Sequence, residues 1–264
     1  MTSPIRPLAL VTGASSGIGA DLARELARDG HDLVLTARRV APMETLAAEL
    51  SAHGADSIII AADLSRPGGA ASLASAIETR GLTVDVLINN AGLGAVGPFD
   101  RMDPVRIAEM LQVNIVALTE LTRLILPGMV ARGRGWVMLV GSTAGFQPGP
   151  GMAVYFATKA YVLSLGEAIA EELRGTGVTV TTLCPGPTAT NFAQVAGSNE
   201  LTLFNSPLRH AMSAAEVARL GYHGLKGGRR VVITGLLNRI VALGGRFAPH
   251  PISLKVTRLL TSRR

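Results

Sequence analysis

Hydrophobic residues occur along the chain in short apolar runs, and longer segments with helical periodicity separate these runs. The runs have the length and composition of buried strands, whereas the longer segments repeat their apolar residues with helical spacing. Strands are predicted at residues 8–11, 32–36, 57–61, 84–88, 136–140, 178–184 and 230–234. Helices are predicted at residues 17–29, 41–53, 69–79, 103–131, 152–174 and 213–224. Because strands and helices alternate, the pattern predicts an α/β fold, a doubly wound parallel sheet of about seven strands with helices on both faces.

A glycine-rich segment, residues 12–19, lies between the first predicted strand and the first predicted helix. Its glycines have the spacing G-x-x-x-G-x-G, which permits a tight turn and close approach of the backbone to a pyrophosphate. The free amides of the following helix supply an anion site. A glycine-rich loop without a ligand is the alternative, but the position between strand and helix favours a nucleotide site. The candidate residues are Gly13, Ser15, Ser16, Gly17, Ile18 and Gly19.

Tyr155 and Lys159 are four residues apart in a predicted helix, so both side chains project from one face. A free phenol has a pKa of about 10, and a nearby ammonium group favours the phenolate and lowers that pKa. The pair therefore predicts a tyrosine that exchanges protons with a carbonyl or an alcohol. Any surface helix can carry Tyr and Lys at this spacing, so the interpretation depends on the other motifs.

Length and composition predict a single domain over residues 1–264. The chain is 48% hydrophobic and 17% charged, and no linker, repeat or low-complexity segment divides it. The N-terminus does not have the pattern of a signal peptide, and no uninterrupted apolar run reaches the roughly 18 residues that cross a membrane. The one cysteine, Cys184, excludes an internal disulfide and is typical of a reducing cytoplasm. The sequence lacks Cys and His at metal-ligand spacing, so no metal is expected.

Several motifs in one order along the chain resemble the short-chain dehydrogenase/reductase family. They are residues 12–19, Asn89-Asn90-Ala91-Gly92, Asn114, Ser142, Tyr155 with Lys159, and Pro185-Gly186. The resemblance extends from the first predicted strand to the seventh and leaves only the C-terminal residues outside it. It implies a Rossmann-type fold and an oxidoreductase that binds a nicotinamide dinucleotide.

The resemblance implies a role in the chemistry for four residues. Tyr155 would protonate the developing alkoxide, and Lys159 would lower the pKa of Tyr155 and bind the nicotinamide ribose. Ser142 would orient the substrate carbonyl, although a serine near a strand end is common. Asn114 would mark a local helix kink whose freed carbonyl holds a water and completes a proton path with Lys159. A tolerated Asn in the helix interior is the alternative.

The resemblance also implies which residues hold the rest of the cofactor. Asp63 would accept a hydrogen bond from the adenine amine, and its alternative role is a helix or turn cap. Thr188 and Thr190 would contact the nicotinamide carboxamide, or they are ordinary loop threonines. Besides the glycine-rich segment, Tyr155 and Lys159, the implied cofactor-binding residues are Asp63, Leu64, Asn90, Ala91, Gly92, Pro185, Gly186, Thr188 and Thr190.

Two arginines at the end of the second predicted strand indicate which nicotinamide cofactor is preferred. NAD-preferring relatives carry an acid here that binds the ribose 2′-hydroxyl, but no acid occurs between Asp32 and Glu44. Arg38 and Arg39 instead offer planar donors for a 2′-phosphate, so NADP(H) is predicted in preference to NAD(H). A surface arginine pair is the alternative.

Fewer residues bear on the substrate. Phe99, Phe146 and Met152 follow predicted strands, and residues 191–209 resemble the substrate lid of the family. They suggest a pocket poor in charge, suited to an apolar ketone, aldehyde or secondary alcohol, unless the two phenylalanines pack in the core. The alternatives are a 3-oxoacyl reductase for thioesters of acyl carrier protein or coenzyme A, and a non-catalytic nucleotide-sensing or scaffold protein on the same fold.

Charge is distributed unevenly, with a formal net charge of +6 and no Asp or Glu after Glu216, although ten Lys or Arg follow it. The extension 236–264 is therefore predicted to be a basic amphipathic helix. Its apolar residues fit one helix face: Ile252, Val256, Leu259 and Leu260. Such a helix can lie on an anionic membrane surface, but docking on its own domain or on a dimer mate is favoured. Nucleic acid is not expected, because aromatic residues are sparse.

The two longest predicted helices, residues 103–131 and 152–174, are rich in Ala, Leu, Val and Ile. Relatives use these two helices to form dimers and tetramers with closed symmetry, so a homodimer or a homotetramer is expected. The residues do not separate these two assemblies.

Overall fold

Seven parallel strands form the central sheet of the computed structural model, which describes residues 6–192, 196, 211–247 and 250–261. The strands of the described chain are β1 (Leu8–Thr12), β2 (Asp32–Thr36), β3 (Ser57–Ile59), β4 (Val84–Asn89), β5 (Gly135–Val140), β6 (Val178–Cys184), β7 (Thr188–Ala189), β8 (Met212–Ser213) and β9 (Val231–Ile233). The sheet order is β3-β2-β1-β4-β5-β6-β9, and β7 pairs with β8 separately. The winding direction reverses between β1 and β4, where such sheets open a crevice beyond the carboxyl ends of their strands.

Helices connect the strands and cover both faces of the sheet. They are α1 (Gly17–Arg28), α2 (Ala41–Ser51), α3 (Gly69–Thr79), α4 (Pro104–Leu111), α5 (Leu118–Ala131), α6 (Ala153–Glu172), α7 (Ala214–Lys226), α8 (Leu236–Phe247) and α9 (His250–Thr261). The predicted α/β fold is confirmed, with ends that differ by up to two residues. The sequence pattern missed the short strands β7 and β8 and the separate helix α8.

Two apolar cores flank the sheet, because neighbouring side chains of a strand point to opposite faces. Val11 of β1 packs in the core under α1, α2 and α7, together with Leu26 and Leu225. Its neighbour Leu10 packs in the core under α3, α5 and α6, together with Leu121. Strands buried on both sides explain why the sequence shows continuous apolar runs instead of alternation.

The predicted helix 103–131 contains a π-helical segment, Gln112–Ala117, between α4 and α5. The predicted irregularity at Asn114 is therefore present, and such segments often occur at functional sites. The whole run Pro104–Ala131 has the length and the mean hydropathy, 1.4, of a membrane span. It nevertheless packs against the sheet, with Leu118 and Leu121 buried, as a core helix of a globular protein does.

The C-terminal extension forms two helices, α8 and α9, where the sequence predicted one. Helix α8 packs against a single 3-10 turn, Thr143–Phe146, that follows β5. Ala242 and Thr257 are buried, whereas Leu236 and Leu259 are 76% and 69% exposed. The predicted docking of this extension on its own domain is therefore present. Three members of the predicted apolar face have side chains outside the described residues: Ile252, Val256 and Leu260.

Candidate active site

A cavity of about 360 Å³ lies at the carboxyl ends of the central strands. It is lined by every residue that was predicted to bind the cofactor or to act in the chemistry, except Gly19 and Asn114. Gly19 packs against Asn90, and Asn114 hydrogen-bonds the backbone of Leu93, so both lie directly behind the cavity wall. The fold thus brings residues from seven separate parts of the sequence to one site.

The glycine-rich turn is fixed to the end of β4 by Asn90. The Asn90 Nδ2 atom donates hydrogen bonds to the carbonyl oxygens of Thr12, at 2.9 Å, and Gly13, at 3.2 Å. Gly13 and Gly17 have φ values of +67° and +58°, which favour glycine. A Cβ atom at Gly19 would collide with Asn90 Nδ2 and with the Gly13 carbonyl. The absence of a side chain at Gly19 therefore lets α1 pack tightly against the turn and Asn90, and the free amides at the start of α1 supply an anion site of the kind that binds a pyrophosphate.

Arg38 and Arg39 are exposed side chains that line the same cavity beyond the end of β2. Neither forms an ion pair with an acid that the structure describes. Asp63 lies nearby, and its Oδ1 accepts hydrogen bonds from Ser65 N at 3.0 Å and Ser65 Oγ at 2.6 Å. These bonds, followed by the charges of Arg38 and Arg66, lower the pKa of Asp63. The alternative role of Asp63 as a turn cap is thus present, while its contact with adenine stays a prediction.

Ser142, Tyr155 and Lys159 meet at the centre of the cavity wall. Lys159 is buried, and its Nζ donates a hydrogen bond to the Val140 carbonyl oxygen at 2.8 Å. That Nζ lies 5.8 Å from the centre of the Tyr155 ring. The Ser142 Oγ accepts a hydrogen bond from Ala144 N at 3.1 Å, which caps the 3-10 turn after β5. A strand end and one helix face therefore hold a hydroxyl, a phenol and an ammonium group together.

The pKa of Tyr155 differs from the sequence-based prediction. Burial raises it to about 12, and a hydrogen bond with Ser142 acts in the opposite direction. The prediction that Lys159 brings this pKa below its ordinary value is wrong for the protein without cofactor, because desolvation of the phenolate dominates. Burial also lowers the pKa of Lys159 to about 8 and raises that of Cys184 to about 12.

Asn114 connects the π-helical segment to the cavity wall and to α6. Its Oδ1 accepts a hydrogen bond from Leu93 N at 2.8 Å, and its Nδ2 donates to Leu93 O at 2.8 Å. The same Nδ2 donates to Thr158 Oγ1 at 3.0 Å, one residue before Lys159. A Cβ atom at Gly92 would lie 3.4 Å from Asn114 Oδ1 and 3.5 Å from Lys159 Nζ. Asn114 Oδ1 and Lys159 Nζ therefore both lie next to Gly92, and the water and the proton path that would join them stay a prediction.

The sequence profile of the family described as short chain dehydrogenase matches residues 7–201. The chain belongs to the short-chain dehydrogenase family. A short chain dehydrogenase of Pseudocercospora fijiensis is 37% identical over 180 residues, which are 67% of this chain and only 58% of that relative. The chain thus matches less than two thirds of that relative's length.

Two solved structures resemble this short-chain dehydrogenase over most of its length. One is a short-chain dehydrogenase from Sphingobium yanoikuyae in complex with NADPH, with 36% identity and a TM-score of 0.81 over 90% of this chain and 92% of that one. The other is the bulky-bulky ketone specific alcohol dehydrogenase from Comamonas testosteroni, with 32% identity and a TM-score of 0.77 over 87% and 86%.

The pocket aromatics of this short-chain dehydrogenase are not the two that the sequence suggested. Phe99 is 65% exposed on a 3-10 turn, so it neither packs in the core nor lines the cavity. Phe146 is half-buried and also lies outside the cavity lining. Phe156 and Phe192 line the cavity instead, and the Phe192 ring centre lies 5.4 Å from that of Tyr155. Of the predicted lid, residues 191–209, only 191, 192 and 196 are described.

Sequence reasoning also missed the part of the cavity wall that α8 and α9 supply. Its members carry no motif: Asn238, Val241, Thr257 and Thr261. The side chain of Asn238 packs directly against Gly186, where a Cβ atom would collide with it. Thr188, on the same segment, donates a hydrogen bond from Oγ1 to Gly186 O at 2.9 Å. The one available signal was the helical spacing of Thr257 and Thr261.

Among the residues that the structure describes, no group of three or more His, Cys, Asp or Glu side chains could hold a metal ion. Cys184 is a free, buried thiol at the end of β6.

Proposed function

We propose that the chain is an NADP(H)-dependent oxidoreductase that transfers hydride between nicotinamide and an apolar ketone, aldehyde or secondary alcohol. The observation that carries the proposal is that Ser142, Tyr155 and Lys159 share one cavity with the glycine turn and with an arginine pair that has no described acid partner. The free amides at the start of α1 and these two guanidinium groups fit a dinucleotide with a 2′-phosphate. The NADPH complex of the Sphingobium relative supports the same cofactor.

Different side chains of the site transfer the proton and orient the substrate carbonyl. When bound, the nicotinamide supplies or accepts the hydride. Tyr155 holds a proton on its phenol oxygen, because burial keeps its pKa near 12, and gives it to the developing alkoxide. Ser142 orients the carbonyl and stabilises its growing negative charge. Lys159, fixed by the Val140 carbonyl, places a positive charge beside the proton donor.

The substrate class follows from the lining of the cavity. Met152, Phe156 and Phe192 contribute apolar surface next to Tyr155, and Val241 adds apolar surface elsewhere in the lining. This lining favours a substrate with a large apolar body. The similarity to an alcohol dehydrogenase specific for bulky-bulky ketones supports this class.

Loss of NADPH absorbance in the presence of a substrate panel tests the proposal. The panel contains apolar ketones and aldehydes together with 3-oxoacyl thioesters, and NADPH binding is measured separately. Turnover of the apolar carbonyls is expected. Turnover confined to the thioesters would favour the 3-oxoacyl reductase, and tight NADPH binding without any turnover would favour the nucleotide-sensing or scaffold protein.

Replacing Arg38 and Arg39 with Ala is expected to weaken NADPH binding and to leave NADH binding nearly unchanged. Each charge-assisted contact to the 2′-phosphate contributes about 1.5–3 kcal/mol, so the loss should be at least tenfold in Kd. Fluorescence titration of both cofactors measures it. Arg80→Ala, an exposed arginine outside the cavity lining, is the matched control. An unaltered preference for NADPH in the double variant would overturn the assignment.

We propose that the chain forms a homodimer or homotetramer through α4, α5 and α6. Exposed apolar side chains lie along these helices and the π-helical segment between α4 and α5. Thr119 Oγ1 and Tyr161 Oη, 2.9 Å apart, join α5 to α6 across the same surface. The exposed apolar residues are Val105, Leu111, Val116, Leu124, Val130 and Tyr161. Light scattering is expected to give a dimer or tetramer mass, and Leu124→Asp should shift it towards the monomer. A monomer mass for the wild type at micromolar concentration would contradict the assembly.

A weak contact of α8 and α9 with an anionic membrane surface is part of the proposal, together with a cytoplasmic location. Apolar and basic side chains are interspersed on these helices, with Leu237 49% and Ile240 60% exposed near Arg239. Such a surface fits the headgroup region of anionic lipids. Cell fractionation with and without a salt wash tests the location and the membrane contact. Most of the protein should be in the cytosolic fraction, and salt should release a minor membrane-bound fraction.

A further inference from the structure

The C-terminal wall of the cavity lies on its substrate side. Helix α8 packs against the turn Thr143–Phe146, and the carbonyl oxygen of Thr261 in α9 lies 3.8 Å from where a Cβ atom on Gly151 would be. Both contacts fall on the connection between Ser142 and Tyr155, far along the chain from the glycine turn and the arginine pair. In the proposed function Ser142 and Tyr155 contact the carbonyl of the substrate. Groups on this wall therefore face the rest of that substrate.

Two threonines of α9 place hydroxyl groups in this wall. Thr257 and Thr261 are one helical turn apart, so they share a face, and both line the cavity. Only 1% of Thr257 and 7% of Thr261 is exposed. Met152 and Phe156, which line the same cavity, are apolar. A hydroxyl buried among apolar groups costs free energy unless it is hydrogen-bonded, so its partners matter.

The Thr261 hydroxyl donates its hydrogen to a carbonyl oxygen of the helix backbone. Thr261 Oγ1 donates to Thr257 O at 2.9 Å, with a second, longer approach to Arg258 O at 3.4 Å. A hydroxyl has one donor hydrogen and two acceptor lone pairs, so the oxygen keeps its capacity to accept. Asn238 is held similarly, with Nδ2 donating to Thr234 O at 2.9 Å, which leaves an amide oxygen on the same wall.

We propose that Thr257 and Thr261 form a substrate subsite that accepts a hydrogen bond from a hydroxyl or amide N–H group at a position other than the reacting carbonyl. The inference rests on the proposed oxidoreductase function and narrows its substrate class to apolar carbonyl compounds that carry a second, hydrogen-donating group. A substrate with only an acceptor there, such as an ether, could not donate a hydrogen bond to Thr261 Oγ1. Sites built around a hydrogen bond discriminate strongly against analogues that cannot form it.

The simplest competing explanation is that both hydroxyls serve only the helix. Threonines in helices commonly bond the carbonyl four residues earlier, and such bonds need no ligand. That explanation predicts that valine, which has the same shape, can replace either threonine without changing substrate preference. The two explanations therefore differ in one measurable quantity, the selectivity between matched substrates.

The experiment compares methyl ketones of graded chain length that end in a hydroxyl, a methoxy or a methyl group. For the wild type, kcat/KM of the hydroxyl ketone is expected to exceed that of the methoxy ketone by roughly tenfold. This is the effect of one hydrogen bond that the first ketone can donate and the second cannot. In T261V and in the T257V/T261V double variant the ratio should fall towards one, mainly through a higher KM for the hydroxyl ketone.

Thr45→Val is the control, because Thr45 Oγ1 makes the same type of bond to Ala41 O, at 3.2 Å, on an exposed part of α2. It should leave the ratio unchanged. A wild-type enzyme that reduces all three ketones without preference, or a preference that survives in the double variant, would overturn the subsite alone. Absence of turnover for every ketone and for the corresponding alcohols would overturn the proposed function as well.

Discussion

Tyr155→Phe is expected to lower kcat for any accepted ketone by a factor of about 10²–10⁴, the usual contribution of general acid–base catalysis. The substitution removes only the phenol oxygen, so the ring keeps its contacts with Phe156 and Phe192. NADPH binding and thermal stability should change little. Steady-state rates with NADPH and with its deuterated form measure the loss and show whether hydride transfer limits turnover.

Tyr161→Phe is a matched control on the same helix. Tyr161 also carries a hydrogen-bonded hydroxyl, 2.9 Å from Thr119 Oγ1, but it does not line the cavity. Its variant should keep the wild-type kcat. If Tyr155→Phe kept most of its turnover while hydride transfer limited the rate, the proposed proton donor would be wrong and the non-catalytic interpretation would regain support.

Lys159→Met is expected to abolish most activity and at the same time to stabilise the fold near neutral pH. Burial lowers the pKa of Lys159 from 10.5 to about 8, a difference that corresponds to a penalty of roughly 3 kcal/mol for the buried charge. Methionine fills a similar volume without that charge. Loss of the hydrogen bond to Val140 offsets about 1 kcal/mol, which leaves a net gain of about 2 kcal/mol.

The stability difference between Lys159→Met and the wild type should depend on pH in one direction. Between pH 8 and 10.5 the unfolded wild-type chain binds more protons at Lys159 than the folded one, so wild-type stability gains from rising pH. The advantage of the variant is therefore full below about pH 8 and disappears towards pH 10.5. Tyr155 and Cys184, whose pKa values are raised to about 12, act in the opposite direction, but both proteins contain them.

Urea unfolding at about pH 7 and about pH 10 measures this difference. Lys226→Met is the contrasting control, because Lys226 Nζ forms an exposed ion pair with Asp29 Oδ1 at 2.7 Å. Its loss should change stability by less than about 1 kcal/mol and should not raise it. A Lys159→Met variant that is less stable than the wild type at neutral pH would show that the ammonium group stabilises the cofactor-free fold.

Local sequence predicted the elements of the fold and the glycine-rich turn, whereas the resemblance to a family indicated most of the other residues that are proposed to hold the cofactor. Short apolar runs specify strands that are buried on both faces, and the glycine spacing specifies a turn that few other residues can form. The pair Tyr155 and Lys159 could be found because one helical turn brings them together whatever the rest of the chain does. The π-helical segment at Asn114 was predicted only as an irregularity, through the resemblance to a family.

The substrate side could not be predicted, because it depends on distant contacts instead of local spacing. Thr261 reaches the cavity only after the chain has passed through several strands and helices beyond Tyr155, and no motif marks it. Phe192 lies in the segment 191–209 that the family resemblance indicated, but its contact with the Tyr155 ring is visible only in the packed structure. The pKa of Tyr155 was predicted in the wrong direction for a similar reason. Helical spacing shows that Lys159 lies near Tyr155. Only the packed structure shows that the Tyr155 phenol is buried, and this burial raises its pKa.

Helices α8 and α9 follow the last strand of the central sheet, β9, and this order along the chain separates two kinds of evolutionary change. In the proposed function, catalysis depends on β5 within the sheet and on α6 packed against its face. Substrate choice in our inference depends instead on a segment that follows the sheet from Gly235 onward. Exchange of that segment between homologous genes could therefore alter what the enzyme reduces without rebuilding how it does so. The main structural condition on such a graft is that residue 238 still fits against Gly186.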